Sequence, residues 1–244
     1  MKIFIVMPAY NAEQTLEKTC LGLPKIYSEI VVCDDGSSDG TYECSKKLKL
    51  TSLQHSKNKG YGANQKTLYD YALGKGAEII VMVHPDNQYT TSNLPKMIEK
   101  IERGAAMVMG TRMDTALKNK MPYWKYVCNR FLSSVQNFVF GTNLSEFHSG
   151  LRAYDANELR DIPYQAFSDD FVFDSEMIAD ILRRGKKIDE VPVECFYNNE
   201  VSSINFRRSF KYGLETLRTL LSYKLGRYGK QKREKAISPI SPIA

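Results

Sequence analysis

The chain up to Gly110 alternates between short apolar runs and longer segments in which apolar residues recur every three or four positions. The short runs are typical of buried strands, and the longer segments have the period of amphipathic helices. Strand, loop and helix follow one another four times, which predicts an α/β fold with a doubly wound, mostly parallel sheet flanked by helices. The predicted strands are 2–7, 30–33, 78–83 and 106–110, with a short one at Leu53, and the predicted helices are 11–23, 41–48, 58–74 and 92–102.

The second half of the chain is less regular. It predicts helices over 125–140, 171–184 and 209–225, and strands over 151–154 and 188–197. The last residues repeat Ser and Pro and favour disorder. We therefore divide the chain into a domain over 1–205, a basic amphipathic helical arm over 206–235 and a disordered tail over 236–244.

The loop that opens the first helix has a helix-capping pattern. Asn11 is predicted as the N-cap, with Gln14 at the third helical position. Leu16, Cys20 and Leu23 then form the expected apolar stripe.

The apolar run Ile79–Val83 is followed by the polar cluster His84-Pro85-Asp86-Asn87-Gln88. Pro85 lacks an N–H and ends the strand, so the cluster is expected at the carboxyl edge of the sheet, where open α/β sheets bind ligands. In an extended segment His84, Asp86 and Gln88 point to one side and could hold Mg²⁺ or Mn²⁺, which would in turn bind a phosphate. The alternative is a polar loop with an Asx turn at Asp86.

Charged residues are distributed unevenly along the chain. The net charge is +6, but residues 206–235 alone carry +8 and the remainder −2. A basic arm of this kind suits an anionic membrane surface, a nucleic acid or a phosphorylated substrate. We find no nucleic-acid recognition motif in the arm and expect no nucleic-acid partner.

The cysteines and the lengths of the apolar runs indicate the cellular compartment. The five cysteines are widely spaced with no C-x-x-C pair, which favours free thiols in a reducing compartment. The first apolar run ends at Pro8, unlike a signal peptide, and no apolar run approaches the ~18 residues of a membrane span. We expect a cytoplasmic protein, soluble or peripheral on the inner face of the membrane.

Acidic residues take the place of a glycine-rich phosphate loop. The first strand is followed by Pro8-Ala9-Tyr10-Asn11, without G-x-G-x-x-G or a Walker lysine. Carboxylates instead follow the second and fourth strands, at Asp34, Asp35 and Asp86. A nucleotide held by acids and a metal fits an enzyme that uses nucleotide sugars.

Several segments, in order, resemble family 2 glycosyltransferases of GT-A fold, in particular the branch with dolichol-phosphate mannose synthase and bacterial polyprenyl-phosphate glycosyltransferases. They are Pro8-Ala9-Tyr10-Asn11, Asp34-Asp35-Gly36-Ser37-Ser38-Asp39-Gly40-Thr41, Asn58-Lys59-Gly60-Tyr61-Gly62, His84-Pro85-Asp86-Asn87-Gln88, Gly110-Thr111-Arg112 and Phe147-His148-Ser149-Gly150-Leu151-Arg152-Ala153-Tyr154. The resemblance implies transfer of a sugar from a UDP- or GDP-sugar, with inversion, to a polyprenyl (dolichyl or undecaprenyl) phosphate.

The resemblance also implies roles for individual residues. Asp86 and Gln88 would bind the metal and diphosphate, with His84 where the family usually has the first aspartate of its D-x-D motif. This histidine favours Mn²⁺ over Mg²⁺ or loosens the dependence on metal. Ala12 follows the Tyr-Asn pair where an acid is usual, which leaves Glu13 as a shifted substitute. The donor pocket would be lined by Pro8, Tyr10, Asn11, Glu13, Asp34, Asp35, Lys59 and Gly60.

Basic residues mark the expected acceptor side. Arg112 follows a strand and is predicted to be catalytic. Arg130 and Ser134 are one helical turn apart and could bind a phosphate, unless Arg130 is only a solvated residue of an amphipathic helix. Arg207, Arg208 and Lys211 would close over the acceptor phosphate or the diphosphate, unless they form a solvated or lipid-facing basic stripe.

Asp174 lies eleven residues before Gly185, the spacing of the catalytic aspartate in family 2 enzymes that use hydroxyl acceptors. It is a candidate general base if the acceptor is an alcohol, and a positioning residue if the acceptor is a phosphate, which needs no base. His148 could contact the acceptor or serve only as a structural hydrogen-bonding residue.

The arm has an amphipathic pattern. Its apolar stripe could lie on an anionic bilayer or pack against the domain. The stripe consists of Phe210, Leu214, Leu217, Leu221 and Leu225. Two alternatives to the lipid-linked enzyme remain: transfer to a soluble hydroxyl acceptor, and a non-catalytic module that binds nucleotide sugars.

Overall fold

The computed structural model describes residues 1–196 and 206–225, with only the backbone of 206–210. The strands are β1 (Ile3–Ala9), β2 (Glu29–Asp34), β3 (Thr51–Gln54), β4 (Ile79–Met82), β5 (Met107–Thr111), β6 (Arg152–Asp155) and β7 (Ile188–Pro192). The helices are α1 (Glu13–Leu21), α2 (Thr41–Lys47), α3 (Tyr61–Gly74), α4 (Leu94–Glu102), α5 (Tyr123–Phe140), α6 (Ala156–Arg160), α7 (Phe173–Arg183) and α8 (Phe206–Lys224).

The seven strands form one sheet in the order β3-β2-β1-β4-β6-β5-β7. Every pairing is parallel except those of β6, which runs antiparallel to both β4 and β5. Because β6 starts at Arg152, opposite Met82 and Met109, the chain enters it at the edge where β4 and β5 end. This edge therefore receives the loops after the parallel strands together with the segment that precedes β6.

Apolar layers cover both faces of the sheet. One contains Leu68, Tyr69 and Phe173 from α3 and α7, and the other contains Leu16, Leu94 and Met97 from α1 and α4. β1 and β4 are buried on both sides, as their continuous apolar runs predict, whereas the edge strand β3 is only partly buried. The predicted α/β fold with a mostly parallel sheet flanked by helices is confirmed.

Local details depart from the sequence predictions. The N-cap of α1 is Ala12, not Asn11, because Asn11 adopts a left-handed conformation with φ of 51°. The antiparallel direction of β6 and the short helix α6 were not anticipated. The predicted strand over 188–197 ends at Pro192. The predicted tail over 236–244 and the arm beyond 225 lie outside the described residues.

The described part of the arm, α8, packs on the domain along one side. Thr216 and Leu220 are buried, and the Tyr223 ring meets Phe140 of α5 edge to face at 4.7 Å. Leu214, Leu217, Leu221 and Leu225 instead remain exposed. The alternative in which these leucines pack on the domain is therefore wrong. The side chain of Phe210 is outside the description.

Candidate functional site

The loops after β1 and β2 are held together by side chain–backbone hydrogen bonds. The Ser38 N–H donates to Asn11 Oδ1 at 3.0 Å, and the Gly40 N–H donates to Glu13 Oε2 at 2.9 Å. Pro8 is buried in β1, whereas Tyr10 is 54% exposed beside this junction. Asn11 and Glu13 therefore have a structural role in shaping the wall predicted to bind the donor.

The two aspartates at the end of β2 are buried, and their carboxylates accept hydrogen bonds from neighbouring loops. Asp34 accepts hydrogen bonds from Ser37 and, at 3.1 Å, from Gln54 Nε2. Asp35 accepts the N–H groups of Lys59 and Gly60, both at 2.9 Å. The two carboxylates therefore organise the loops around the predicted donor pocket.

His55, which the sequence analysis did not single out, orients Asp35. Its Nδ1 lies 2.6 Å from Asp35 Oδ1, and its Nε2 lies 2.9 Å from the Thr67 hydroxyl. The His55 side chain is buried, so these contacts are shielded from water. His55 thus helps to fix the carboxylate that positions the Lys59–Gly60 backbone.

The Gly60–Gly62 segment touches the loop before α7 with its backbone. Gly60 has φ of 106°, and a Cβ there would lie 2.4 Å from the carbonyl oxygen of Asp169. The Gly62 N–H donates to that carbonyl at 2.8 Å. Buried Lys66 secures the same loop by donating to the Phe167 carbonyl and to Asp169 Oδ1, both at 2.6 Å. Glycine is required here because only it combines this φ with so close an approach.

The polar cluster after β4 is a turn and not an extended segment. Asn87 has φ of 53°, and Asp86 Oδ1 accepts the Gln88 N–H at 3.0 Å, which is the Asx turn considered as the alternative. The extended geometry expected for this segment is therefore wrong, whereas His84, Asp86 and Gln88 as metal ligands remain a prediction. The Gln88 amide oxygen lies 4.0 Å from Cys195 Sγ.

His84 belongs to a cluster of polar side chains from four distant segments. Its ring stacks on Tyr61 with 5.4 Å between centroids and 7° between planes, and its Nε2 lies 3.1 Å from the Tyr61 hydroxyl. That hydroxyl donates to Asp174 Oδ2 at 3.1 Å. Asp174 also accepts Gln65 Nε2 at 3.0 Å and forms a buried ion pair with Arg152.

The edge of the His84 ring fits against backbone. A Cβ on Gly150 would lie 2.4 Å from His84 Cδ2, so the ring occupies the space that any other residue at position 150 would fill. The Gly150 N–H donates to the Tyr89 hydroxyl at 2.9 Å, which ties the segment before β6 to the turn after β4. The orientation of the imidazole is thus fixed from two sides.

The electrostatic environment keeps His84 neutral. Burial lowers the pKa of His84 from its ordinary value, an effect that the nearby carboxylates of Asp86 and Asp174 partly oppose. The positive charges of Arg152 and Arg112 also lower this pKa. A neutral imidazole has a lone pair available to a metal ion.

The residues present fit a partly open divalent-metal site. Among the described residues, Nδ1 of His84 has no hydrogen-bond partner, and Asp86 uses only Oδ1 within the protein. The same residues contain no group of three or more His, Cys, Asp or Glu that could close a metal site. One imidazole and one carboxylate leave positions for diphosphate oxygens and water, as is usual when a metal is bound with a phosphate substrate.

Arg112 is held beside this cluster by buried Glu146. Its backbone N–H and its Nε donate to the Glu146 carboxylate at 2.9 and 3.3 Å, and its Nη2 donates to the His148 carbonyl at 3.0 Å. Asn129 of α5 donates to the same carboxylate at 2.9 Å. Arg112 lies close enough to His84 to affect its pKa, so the structure brings these two predicted residues together.

His148 is a buried structural contact between the segment before β6 and α8. Its Nδ1 lies 2.7 Å from the Tyr212 hydroxyl, which also lies 3.2 Å from the Ser175 hydroxyl. Burial lowers the pKa of His148 to about 3, and Arg112 and Arg152 act in the same direction. His148 is therefore neutral at physiological pH.

The predicted acceptor residues on α5 lie on its exposed side. Arg130 and Ser134 are exposed, and the Ser134 hydroxyl donates to the Arg130 carbonyl at 2.8 Å. The buried face of the helix carries Asn129, Ser133 and Gln136 instead. The side chains of Arg207 and Arg208 lie outside the description.

Arg130 and Ser134 stand within a large apolar surface that we call the α5–α8 patch. Among the described residues, eight of the fourteen exposed large hydrophobic side chains belong to these two helices, and a ninth, Leu225, directly follows α8. Lys224 Nζ lies 5.5 Å from the Phe138 ring centroid and connects the helices at one end. The patch consists of Tyr123, Trp124, Val127, Phe131 and Phe138 of α5, Leu214, Leu217 and Leu221 of α8, and Leu225 directly after α8.

The polar side chains described above gather at the carboxyl edge of a doubly wound sheet, which is where open α/β sheets bind their ligands. A family model described as Glycosyl transferase family 2 matches residues 4–162, and the chain belongs to this family. The match confirms the resemblance of the sequence motifs to family 2 glycosyltransferases, and it confirms that the protein is a glycosyltransferase.

Two relatives act on lipid-linked acceptors according to their names. The UDP-N-acetylglucosamine–dolichyl-phosphate N-acetylglucosaminyltransferase of Methanococcus voltae is 27% identical over 92% of this chain and 97% of its own. The undecaprenyl-phosphate mannosyltransferase of Micrococcus luteus is 28% identical over 79% of this chain and 83% of its own.

A solved structure shares the fold. Glucosyl-3-phosphoglycerate synthase from Mycobacterium tuberculosis, in complex with Mn²⁺, UDP and phosphoglyceric acid, superposes with a TM-score of 0.64 and 15% identity over 93% of this chain and 78% of that chain. At this identity the likeness concerns the fold alone. Among the described residues, no helix is long and apolar enough to cross a lipid bilayer.

Proposed function

We propose that this glycosyltransferase moves a sugar from a UDP- or GDP-sugar to a polyprenyl phosphate at a membrane surface. The observation that carries the proposal is the α5–α8 patch, which places Arg130 among exposed aromatic and aliphatic side chains. Such a surface suits an acceptor with an anionic head and a long apolar tail. The names of the relatives from Methanococcus voltae and Micrococcus luteus support the same acceptor class.

In this proposal the donor lies over the carboxyl ends of β1, β2 and β4. Tyr10 and the loops that Asp34 and Asp35 organise would contact the base and ribose. The Lys59–Gly60 backbone and the exposed Lys59 side chain lie on the same edge of the sheet. The diphosphate would then point toward the turn after β4.

His84 and Asp86 would hold a divalent ion at the diphosphate, with Gln88 as a third candidate. Bound there, Mg²⁺ or Mn²⁺ would neutralise charge that develops on the leaving diphosphate. The imidazole of His84 favours Mn²⁺, since nitrogen ligands suit later transition metals better than Mg²⁺. The complex of the structural neighbour with Mn²⁺ and UDP is consistent with this arrangement.

The transfer step needs no general base when the acceptor is a phosphate. A phosphate oxygen attacks C1 of the sugar in line, a new C–O bond forms, and the bond from C1 to the diphosphate breaks with inversion. Arg112, fixed by Glu146, would stabilise negative charge at this edge, and Arg130 would bind the acceptor phosphate. Both oxygens of Asp174 are occupied by protein groups, which argues against the general-base role considered from the sequence.

Membrane binding would place the patch against the lipid that supplies the acceptor. The leucines of α8 lie beside Arg218 and Lys224, which are exposed and basic. A basic amphipathic surface of this kind binds anionic bilayers from one side. We propose a peripheral position on the cytoplasmic face, where nucleotide sugars are available.

The proposal is tested by vesicle flotation and by sugar transfer. Wild type should bind anionic phosphatidylglycerol vesicles and transfer sugar from UDP- or GDP-sugars to polyprenyl phosphate. In a Phe131→Ser/Phe138→Ser variant, vesicle binding should fall by about tenfold or more, because burial of each phenyl ring contributes roughly 1.5–3 kcal/mol. Leu21→Ser, which removes an 80% exposed leucine of α1, serves as the matched control.

The same experiment separates the alternatives. Transfer only to soluble hydroxyl or phosphate compounds, without vesicle binding, would contradict the lipid acceptor and retain the enzyme class. Nucleotide binding without turnover of any donor, even with Mn²⁺, would indicate the non-catalytic module.

A further inference from the structure

We propose that Tyr61 and Asp174 are positioning residues that fix His84 in the tautomer protonated at Nε2, so that its Nδ1 lone pair is held ready for the metal ion. The inference rests on the proposed function, because it assigns His84 as a metal ligand. It adds a supporting shell from α3, α7 and β6 behind that ligand. Residues that contact metal ligands in this way commonly fix ring orientation and tautomer.

The Asp174 side chain accepts hydrogen bonds from several neighbours. Its carboxylate is buried against Arg152, which is only 1% exposed and carries a permanent positive charge. The Gln65 amide donates a further hydrogen bond to Oδ1. Both neighbours present N–H donors to Oδ1, so the Asp174 side chain is the acceptor in these contacts.

A count of protons then determines the state of His84. The Tyr61 hydroxyl has a single proton, which it donates to Asp174 Oδ2 at 3.1 Å. Its oxygen can therefore only accept in the contact with His84 Nε2, also at 3.1 Å. Nε2 must carry the proton, and Nδ1 is left with the lone pair.

Packing maintains this geometry. The Tyr61 ring stacks on His84 and also on Phe171, with 5.1 Å between the Tyr61 and Phe171 centroids. Gly150 lies against the Cδ2–Nε2 edge of His84, where a Cβ would be 2.6 Å from Nε2, so the backbone restricts the position of the ring. The tautomer and the direction of Nδ1 are thus set by residues that would not contact the metal.

The chain is well suited to a direct test, since it contains three histidines. Full-length protein with ¹⁵N-labelled histidine, free of metal, should show His84 with a protonated Nε2 and an unprotonated Nδ1, the signal being assigned with His84→Asn. Tyr61→Phe keeps the stacked ring and removes the hydroxyl. We expect its His84 signals to move toward a mixture of tautomers.

The second readout is Mn²⁺ affinity, measured by electron paramagnetic resonance with saturating UDP or GDP and no sugar donor. Tyr61→Phe should weaken Mn²⁺ binding by about 10–100-fold. Tyr71→Phe is the matched control, because it removes a hydroxyl of the same helix that bonds Glu29 at 3.0 Å. Its tautomer and Mn²⁺ affinity should equal those of wild type.

Each outcome decides the inference. A wild-type His84 protonated at Nδ1, or a Tyr61→Phe variant unchanged in tautomer or in Mn²⁺ affinity, would overturn it. If wild type binds no Mn²⁺ with either nucleotide, the metal-assisted function fails, whereas the tautomer measurement still supports or overturns the role of Tyr61 and Asp174 on its own.

Discussion

The two halves of the site edge are built in different ways. On the donor half, around β1 and β2, Asp34 and Asp35 are buried, but the outer loops 11–13 and 37–40 are joined by hydrogen bonds near the surface, such as that from the Gly40 N–H to Glu13. On the other half, around β4 and β6, buried charged side chains from distant segments meet, as Arg152 and Asp174 do. The first arrangement is adaptable at low cost, whereas the second is rigid and depends on every member.

The difference fits what each half must do. A nucleotide base and ribose can be recognised by loops that adjust locally. A metal ligand and an arginine that stabilises developing charge need fixed positions, which buried supporting residues provide. We therefore expect variants of the outer donor loops 11–13 and 37–40 to have small effects on stability, and variants of the buried residues around β4 and β6 to have large ones.

The largest effect is expected at the point where the halves meet. Asp86→Ala should lower turnover by about 10³-fold or more, because loss of the metal removes several kcal/mol of charge stabilisation. The thermal midpoint should stay close to that of wild type, since Asp86 is only partly buried. Asn87→Gly, which retains the left-handed backbone, is the control and should remain active. Near-normal activity of Asp86→Ala would contradict the assignment.

The next largest effect is expected in the buried half. Arg152→Met should lower the free energy of unfolding by about 3–5 kcal/mol, because it leaves the Asp174 carboxylate buried without its partner. The double variant Arg152→Met/Asp174→Asn should recover part of this loss, as measured by urea denaturation. A loss below about 1 kcal/mol for the single variant would show that this half is as adaptable as the donor half.

An intermediate effect is expected from pH. The pKa of His148 is lowered from 6.5 to about 3, so the folded protein keeps it neutral while the unfolded chain takes up a proton below 6.5. Stability should therefore fall as the pH falls from 6.5 toward 3, by at most about 1.4 kcal/mol per pH unit for this group. His84, whose pKa is also lowered, contributes with the same sign.

The His148→Asn variant isolates this contribution. Its free energy of unfolding should depend less on pH in that range than that of wild type, whatever its stability at pH 7. Parallel curves for the two proteins would show that His148 is not kept neutral by burial.

The smallest effect is expected on the donor half. Glu13→Ala removes the acceptor for the Gly40 N–H, and because both groups are exposed we expect a stability loss below about 1 kcal/mol. The KM for the nucleotide sugar should rise while kcat changes little. A loss as large as that of Arg152→Met would remove the contrast between the halves.

The sequence predicted the donor half better than the buried half, for a physical reason. Strands, loops and acids around Asp34 and Asp86 are local patterns, and parallel strands bring such loops to one edge without further information. The joining of His84 to Tyr61, Asp174 and Arg152 depends on the antiparallel entry of β6 and the docking of α7, which no local period encodes.

The turn after β4 is the second feature that could not be predicted from the sequence. A His-x-Asp-x-Gln pattern aligns its side chains only in an extended segment, and the left-handed Asn87 breaks that condition. The alternative with an Asx turn was available from the sequence, but the choice between the two depends on tertiary contacts such as Gly150 against His84.

The most direct test of the central claim is thermal stabilisation by UDP, GDP and their sugars with Mg²⁺, Mn²⁺ or a chelator. A nucleotide at 100 times its dissociation constant should add roughly 2.7 kcal/mol, a shift of about 5 °C or more for a chain of this size. The account predicts that one nucleotide class gives this shift, that the shift is larger with Mn²⁺ than with Mg²⁺, and that Asp86→Ala removes the metal-dependent part. No shift with any nucleotide or metal would contradict a donor site at this edge of the sheet.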